Sequence, residues 1–256
     1  MLNNHENSHD LTMEGMNFSL PAEKNIINRA LSVFRAKTGF SKGIAIRAEK
    51  RIPVGGGLGG GSSNAAYALL AFNKLAGSPL DKNALLELGS ALGSDVPFFI
   101  YETAAAWVTG RGEFINPLNN IPQLFFVLVN PGFQSDTASA FRLLDEYRKN
   151  PRYDAGIPSS KNENNLFPGI QEIGSWLKYR NDFLQVFDEK ERSVYNEIIF
   201  QLTEQGAVYA NLSGAGSTCF GVFNNIEQAQ KTAQVLRERW PFVQECGLLE
   251  NTILST

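Results

Sequence analysis

Three stretches of the chain carry residue types that could do chemistry. The first, "RIPVGGGLGGGSSNAA" (51–66), places six glycines in seven positions ahead of an alanine-rich run. Glycine takes positive φ without steric cost and lets a ligand approach the main chain closely. A strand–glycines–helix unit aims successive N–H groups, and the positive end of the helix, at one point in space. That is an anion site, and phosphate is its usual occupant. Ser62 and Ser63 fall where the helix should begin; a hydroxyl there can cap the helix or reach a phosphate or a metal ion. A plain turn needs one or two glycines, and a run this long costs too much chain entropy for that role alone. The second stretch, "LGSDVPFF" (92–99), offers one carboxylate, Asp95, which by itself serves equally as a turn or capping aspartate or as a base. The third, "NLSGAGST" (211–218), brackets Ala215 between Gly214 and Gly216, and its spacing alone describes a hairpin turn.

Two familiar phosphate loops can be tested against the first stretch. The Walker pattern requires Gly-Lys-Ser/Thr, whereas Gly61 is followed by Ser62-Ser63-Asn64. Gly55-x-Gly57-x-x-Gly60 formally satisfies the dinucleotide fingerprint. Its partner acid should end a second strand, and Asp81 sits instead in "GSPLDKN", a turn between two helices.

These residues need elements to hold them. Ile26, Ile27, Ala30, Leu31 and Phe34 recur at helical spacing until Thr38-Gly39. "GIAIRAEKRIPV" alternates as a half-buried strand with Ile44, Ile46 and Ala48 on one face. A helix is predicted over Asn64–Ala76, and a second from a cap at Asp81 through Leu92. "DVPFFIYETAAAWVTGRGEFINPL" reads as strands around a Gly110-Arg111-Gly112 turn, and "QLFFVLVNPG" as a buried strand. A helix over about Thr137–Arg148 leads to a Pro/Gly/Ser-rich loop from Asn150 to Lys161. "NDFLQVFDEKERSVYNEIIFQLTEQG" is helical, "AVYANLSGAGSTCFGVF" is strand, turn, strand, and a helix over Ile226–Trp240 follows. The first residues, Met1–Gly15, are polar; Leu11 and Met13 could still belong to an edge strand. Two α+β domains meeting near residues 130–155 are expected.

The composition bounds the function. With 256 residues, 43% hydrophobic, 19% charged and a net charge of −3, the chain carries no nucleic-acid or membrane-surface footprint. A small metabolite is the expected partner. Cys219 and Cys246 form no CxxC pair, which argues against a zinc site or disulfide scaffold and for the reducing cytoplasm. No apolar stretch approaches the ~20 residues of a membrane span.

"PVGGGLGGGSSNAA" (53–66) resembles the phosphate loop of the GHMP small-molecule kinases, Pro-x-x-x-Gly-Leu-Gly-Ser-Ser-Ala-Ala, with extra glycines before the serines. "GSDVPFF" (93–99) and "LSGAGSTCFGVF" (212–223) agree with that family in order and spacing. The resemblance runs from about Ala22 to near the C-terminus. It implies a two-domain α+β fold: a ribosomal-protein-S5-like N-terminal domain over 1–130 and a ferredoxin-like C-terminal domain over 131–256, with the active site in the cleft between them. It also implies ATP as phosphate donor with Mg2+. The ATP-binding residues would then be Pro53, Val54, Gly55, Gly56, Gly57, Leu58, Gly59, Gly60, Gly61, Ser62 and Ser63, with Asn25 and Lys50 beside the adenine. Ser62 would be the metal ligand, Asp95 the catalytic base, and Ser213, Gly214, Ala215 and Gly216 a loop packing on the phosphate loop.

Within the family, the extra glycines and Asn64-Ala65-Ala66 resemble a member that phosphorylates the 2-hydroxyl of a cytidylyl sugar alcohol in isoprenoid biosynthesis. Homoserine- or mevalonate-type kinases and a non-catalytic nucleotide-binding relative are the alternatives. A monomer or weak homodimer is expected. The family's opening Pro-Ala-Lys-x-Asn strand and Gly-Tyr-His segment find no match: Lys24 in "PAEKNIIN" starts a helix, and His5 and His9 are the only histidines. The N-terminal domain is therefore expected to be shortened at its start.

Overall fold

The structure is a computed structural model that describes residues 9–15, 22–118, 121–150 and 181–249. The loop expected over Asn150–Lys161 lies, beyond its first residue, outside the described residues. The chain forms two compact units. One comprises 1–53, 59–119 and 250–256; the other comprises 54–58 and 120–249, so a short piece of the glycine run belongs to the second unit.

In the first unit, β1 (His9–Gly15) pairs in parallel with β2 (Ile44–Lys50), with His9 opposite Ile44 and Gly15 opposite Lys50. Parallel pairing demands a crossover, and α1 (Ile26–Thr38) supplies it. Asn25 caps α1, its side chain accepting from Ile27 N, and Gly39 ends the helix in the left-handed conformation at φ 72°. Three helices follow: α2 (Gly60–Leu75), α3 (Lys82–Leu92) and α4 (Val96–Tyr101). Asp81 caps α3 through Ala84 N, as its position predicted. Ile27, Leu31 and Phe34 of α1 meet Ala65, Ala66, Leu69 and Phe72 of α2, with Leu85, Val96, Ile100 and Ile44 closing the core. The hairpin β3 (Ala106–Thr109) and β4 (Phe114–Pro117) completes the unit around the expected glycine turn.

Two expectations are corrected here. Val96–Tyr101 is helix rather than strand, because Pro97 fits a first helical turn and Val96, Pro97 and Ile100 share one buried face at helical spacing. The helix that follows the glycine run begins at Gly60, four residues before the predicted Asn64, so both serines lie inside its first turn.

The second unit is a four-stranded antiparallel sheet in the order β6–β7–β5–β8, from β5 (Phe125–Asn130), β6 (Tyr209–Leu212), β7 (Cys219–Phe223) and β8 (Phe242–Gly247). With α5 (Thr137–Arg148), α6 (Glu189–Glu204) and α7 (Ile226–Arg237), the described order is strand, helices, two strands, helix, strand. That order and strand arrangement are the ferredoxin-like pattern. Tyr195, Ile198 and Leu202 of α6 and Ala229, Ala233 and Leu236 of α7 pack in one core with Val127, Val129 and Val243 of the sheet. Sequence reading missed β8, whose "FVQECG" follows α7 without a turn signal beyond Pro241.

Candidate active site

The glycine run is shared between the two units, and each part has its own anchoring. In the second unit, the carbonyl oxygens of three consecutive glycines are all engaged. Gly55 O accepts from Ser135 N at 3.2 Å and Ser217 N at 3.3 Å, and Gly56 O accepts from Thr218 N at 3.1 Å. Gly57 O accepts from Ser213 Oγ at 2.9 Å. Gly57 sits at φ 71°, and a Cβ there would overlap Ser213 O and lie 2.8 Å from Gly216 O. Only glycine fits so close to a second backbone. The loop over Ser213–Gly216 therefore packs on the glycine run.

The loop that receives these carbonyls is itself held from beneath. Asn130, the last residue of the central strand β5, donates through Nδ2 to Ser217 Oγ and Thr218 Oγ1, each at 3.0 Å. Ser217 Oγ donates in turn to Phe133 O. Ser135 joins both loops: its N–H bonds Gly55, and its Oγ donates to Ala215 O at 2.6 Å. Asn181 Nδ2 donates to Leu212 O and Gly214 O. Asn130, Ser135, Ser217 and Thr218 are all buried.

A trans peptide points its C=O and N–H in opposite directions. Fixing the carbonyls of Gly55, Gly56 and Gly57 therefore turns the N–H groups of Gly56, Gly57 and Leu58 the other way. Those N–H groups donate to no acceptor among the described residues.

In the first unit, Gly59 at φ 62° is the N-cap of α2 and makes no side-chain cap bond. Neither serine caps the helix, which corrects the expectation for that role. Ser63 Oγ donates back to Gly60 O at 3.1 Å, and Ser62 Oγ bonds nothing among the described residues. The first helical bond is Ser63 N to Gly59 O, so the N–H groups of Gly60, Gly61 and Ser62 stay free at the positive end of α2. Lys50, at the end of β2, brings its Nζ within 2.6 Å of where a Gly60 Cβ would stand, and burial holds its pKa below the ordinary lysine value. The Phe99 ring of α4 packs on Gly59, 2.9 Å from a Cβ position there.

Asp95 occupies the second central position of a turn closed by Val96 N to Gly93 O at 3.2 Å, with φ −90° and ψ −11°. Those angles belong to a type I turn. The carboxylate is exposed, makes no capping bond to α4, and accepts only from Ser94 Oγ at 3.3 Å among the described residues. Asn25 is buried and spends its Oδ1 on capping α1, leaving its Nδ2 without a partner among the described residues.

No group of three or more His, Cys, Asp or Glu side chains placed to hold a metal occurs among the described residues. The hydroxyl of Ser62, unengaged beside three free N–H groups, suits a cation that arrives already coordinated by phosphates. Sequence reading missed Asn130, Ser135 and Phe99. "NPGFQS" (130–135) announces a turn, but nothing in it says that this turn grips two other loops.

Two domain families match the sequence: "GHMP kinases N terminal domain" over residues 25–103 and "GHMP kinases C terminal" over residues 167–241. A protein from Syntrophotalea carbinolica named 4-diphosphocytidyl-2-C-methyl-D-erythritol kinase is 37% identical over 234 residues, 90% of this chain and 78% of its own. One of the same name from Thermodesulfovibrio yellowstonii is 35% identical over 226 residues, 85% of this chain and 75% of its own. A crystal structure of 4-(cytidine 5'-diphospho)-2C-methyl-D-erythritol kinase is similar with a TM-score of 0.72 and 27% identity, over 96% of this chain and 84% of that one. Homoserine kinase from Cytophaga hutchinsonii, at 16% identity and a TM-score of 0.63, shares the fold. Motifs, fold and relatives agree, and the chain belongs to the GHMP kinase family.

Proposed function

We propose that this chain transfers the γ-phosphoryl group of ATP to the 2-hydroxyl of 4-diphosphocytidyl-2-C-methyl-D-erythritol, in the cytoplasm, as a step of isoprenoid biosynthesis. The glycine run carries the reading. Its carbonyls are all taken on one side, its N–H groups are turned out on the other, and the helix that continues it starts with three more free N–H groups. Such a cradle fits the polyphosphate of a nucleotide. The relatives' shared name supplies the acceptor alcohol.

Pro53 to Ser63 hold the triphosphate, with Asn25 Nδ2 and Lys50 beside the adenine. Ser62 Oγ would be the protein ligand of Mg2+, and the metal would supply neutralisation of charge that develops on the phosphates. The acceptor oxygen attacks the γ-phosphorus, the bond to the β,γ-bridging oxygen breaks, and ADP leaves. The hydroxyl proton passes to the Asp95 carboxylate, which stands exposed and without a charged partner among the described residues. The loop over Ser213–Gly216 keeps the cradle in shape.

A coupled assay of ADP release tests this, with the cytidylyl alcohol, homoserine and mevalonate as competing acceptors. Release should require the cytidylyl alcohol. ATP binding without turnover on any acceptor would overturn the kinase reading.

A further inference from the structure

The tip of the β3–β4 hairpin presses on the turn that carries Asp95. Gly112, at φ 119°, lies so close to Ser94 that a Cβ would overlap Ser94 O and stand 2.9 Å from its carbonyl carbon and 3.3 Å from its Cα. Ser94 and Asp95 are the two central residues of the turn from Gly93 to Val96, so this carbonyl belongs to the peptide joining them. The orientation of that central peptide separates a type I turn from a type II turn, and type II would force positive φ on Asp95. Gly112 therefore touches the group that decides where the Asp95 side chain points.

The tip itself is braced. Gly112 N donates to Thr109 O at 3.3 Å, and the Glu113 carboxylate accepts from Arg111 N at 2.5 Å. Register runs from Ala106 opposite Pro117 to Thr109 opposite Phe114.

We infer that Gly112 is a positioning residue for Asp95: the bare Cα at the hairpin tip seats against the Ser94–Asp95 peptide and fixes the direction of the carboxylate. This rests on the reading of Asp95 as the base. An added methyl group has no room, so the peptide must tilt. Misplacement of a reacting group by about 1 Å can cost up to ~100-fold in rate.

The test is Gly112→Ala, with Gly39→Ala as control. Gly39 also has positive φ, at 72°, but a Cβ there meets nothing within 4 Å. Both variants should lose thermal stability. Only Gly112→Ala should lower kcat, by about 10- to 100-fold, with the dissociation constant for ADP unchanged. Combined with Asp95→Asn, followed by radiolabelled phosphoryl transfer to capture residual turnover, Gly112→Ala should have little further effect. A wild-type kcat in Gly112→Ala overturns the inference, as does an equal fold loss in the Asp95→Asn background. A wild-type kcat in Asp95→Asn alone would instead overturn the base reading. If Gly112→Ala does not fold, Glu113→Ala decides. It frees the tip without adding an atom, and should lower kcat while ADP binding and melting temperature hold. An unchanged kcat in Glu113→Ala would then overturn the inference.

Discussion

At Asp95 the proposed reaction needs an ionised carboxylate facing a hydroxyl proton, and little else from the side chain. Replacing it with asparagine keeps the shape and removes the acceptor. Steady-state assays of Asp95→Asn should show kcat lower by about 10²- to 10⁴-fold, the range general-base catalysis covers. ADP affinity, read by calorimetry, should stay where it was. Ser135 makes a different kind of contribution, because it touches no reacting atom. Its hydroxyl holds the Ala215 carbonyl while its N–H holds Gly55. Ser135→Ala orphans a carbonyl whose desolvation costs about 1–3 kcal/mol. The expected result is weaker ATP binding with kcat at saturation largely retained; equal ATP affinity in variant and wild type would show that the clamp does not shape the cradle.

Among the elements, α5 reports its own cap by titration. Asp136 accepts from Ser139 Oγ and from the N–H groups of Ser139 and Ala138, and these bonds, the Ser139 hydroxyl first, hold its carboxyl below the ordinary 3.8. A folded pKa below the unfolded one means stability that is present above pH 3.8 and lost as pH falls through the folded value. Asp136→Ala should therefore melt earlier than wild type at neutral pH, with the gap closing in acid below that window. A gap that persists undiminished there would contradict the cap.

Helix α6 makes the opposite case. Tyr195 is fully buried between Phe133 and Phe187, and its hydroxyl has no partner among the described residues. Burial raises its pKa well above the ordinary phenol value, so it stays protonated. Tyr195→Phe removes an unsatisfied polar atom, and denaturant unfolding should show a gain of about 1 kcal/mol. A loss would mean that the hydroxyl is bonded in solution.

What the sequence made legible follows from how local each signal is. Glycine density marked the loop before α2, because no other residue builds such a backbone, and the cap at Asp81 and the stop at Gly39 could be read because each signal is equally local. Val96–Tyr101 could not: its β-branched and aromatic residues favour strands in isolation, and only the buried face formed with α2 and α3 makes it helical. The contacts of Asn130, Ser135 and Gly112 were equally invisible, since each meets groups distant in sequence.

Across the whole molecule, one chain supplies the fold of a kinase family, a glycine run with outward N–H groups and an exposed carboxylate on a turn. The two parts of the glycine run belong to different compact units, and the described bonds show how each is held within its own. The decisive measurement is ³¹P NMR of the full chain with ATP, Mg2+ and 4-diphosphocytidyl-2-C-methyl-D-erythritol, run beside Asp95→Asn. A new phosphomonoester signal growing in step with ADP is the predicted result, with its rate collapsed in the variant. ATP that binds yet yields no phosphomonoester would contradict the proposal, as would a phosphomonoester forming equally fast without the Asp95 carboxylate.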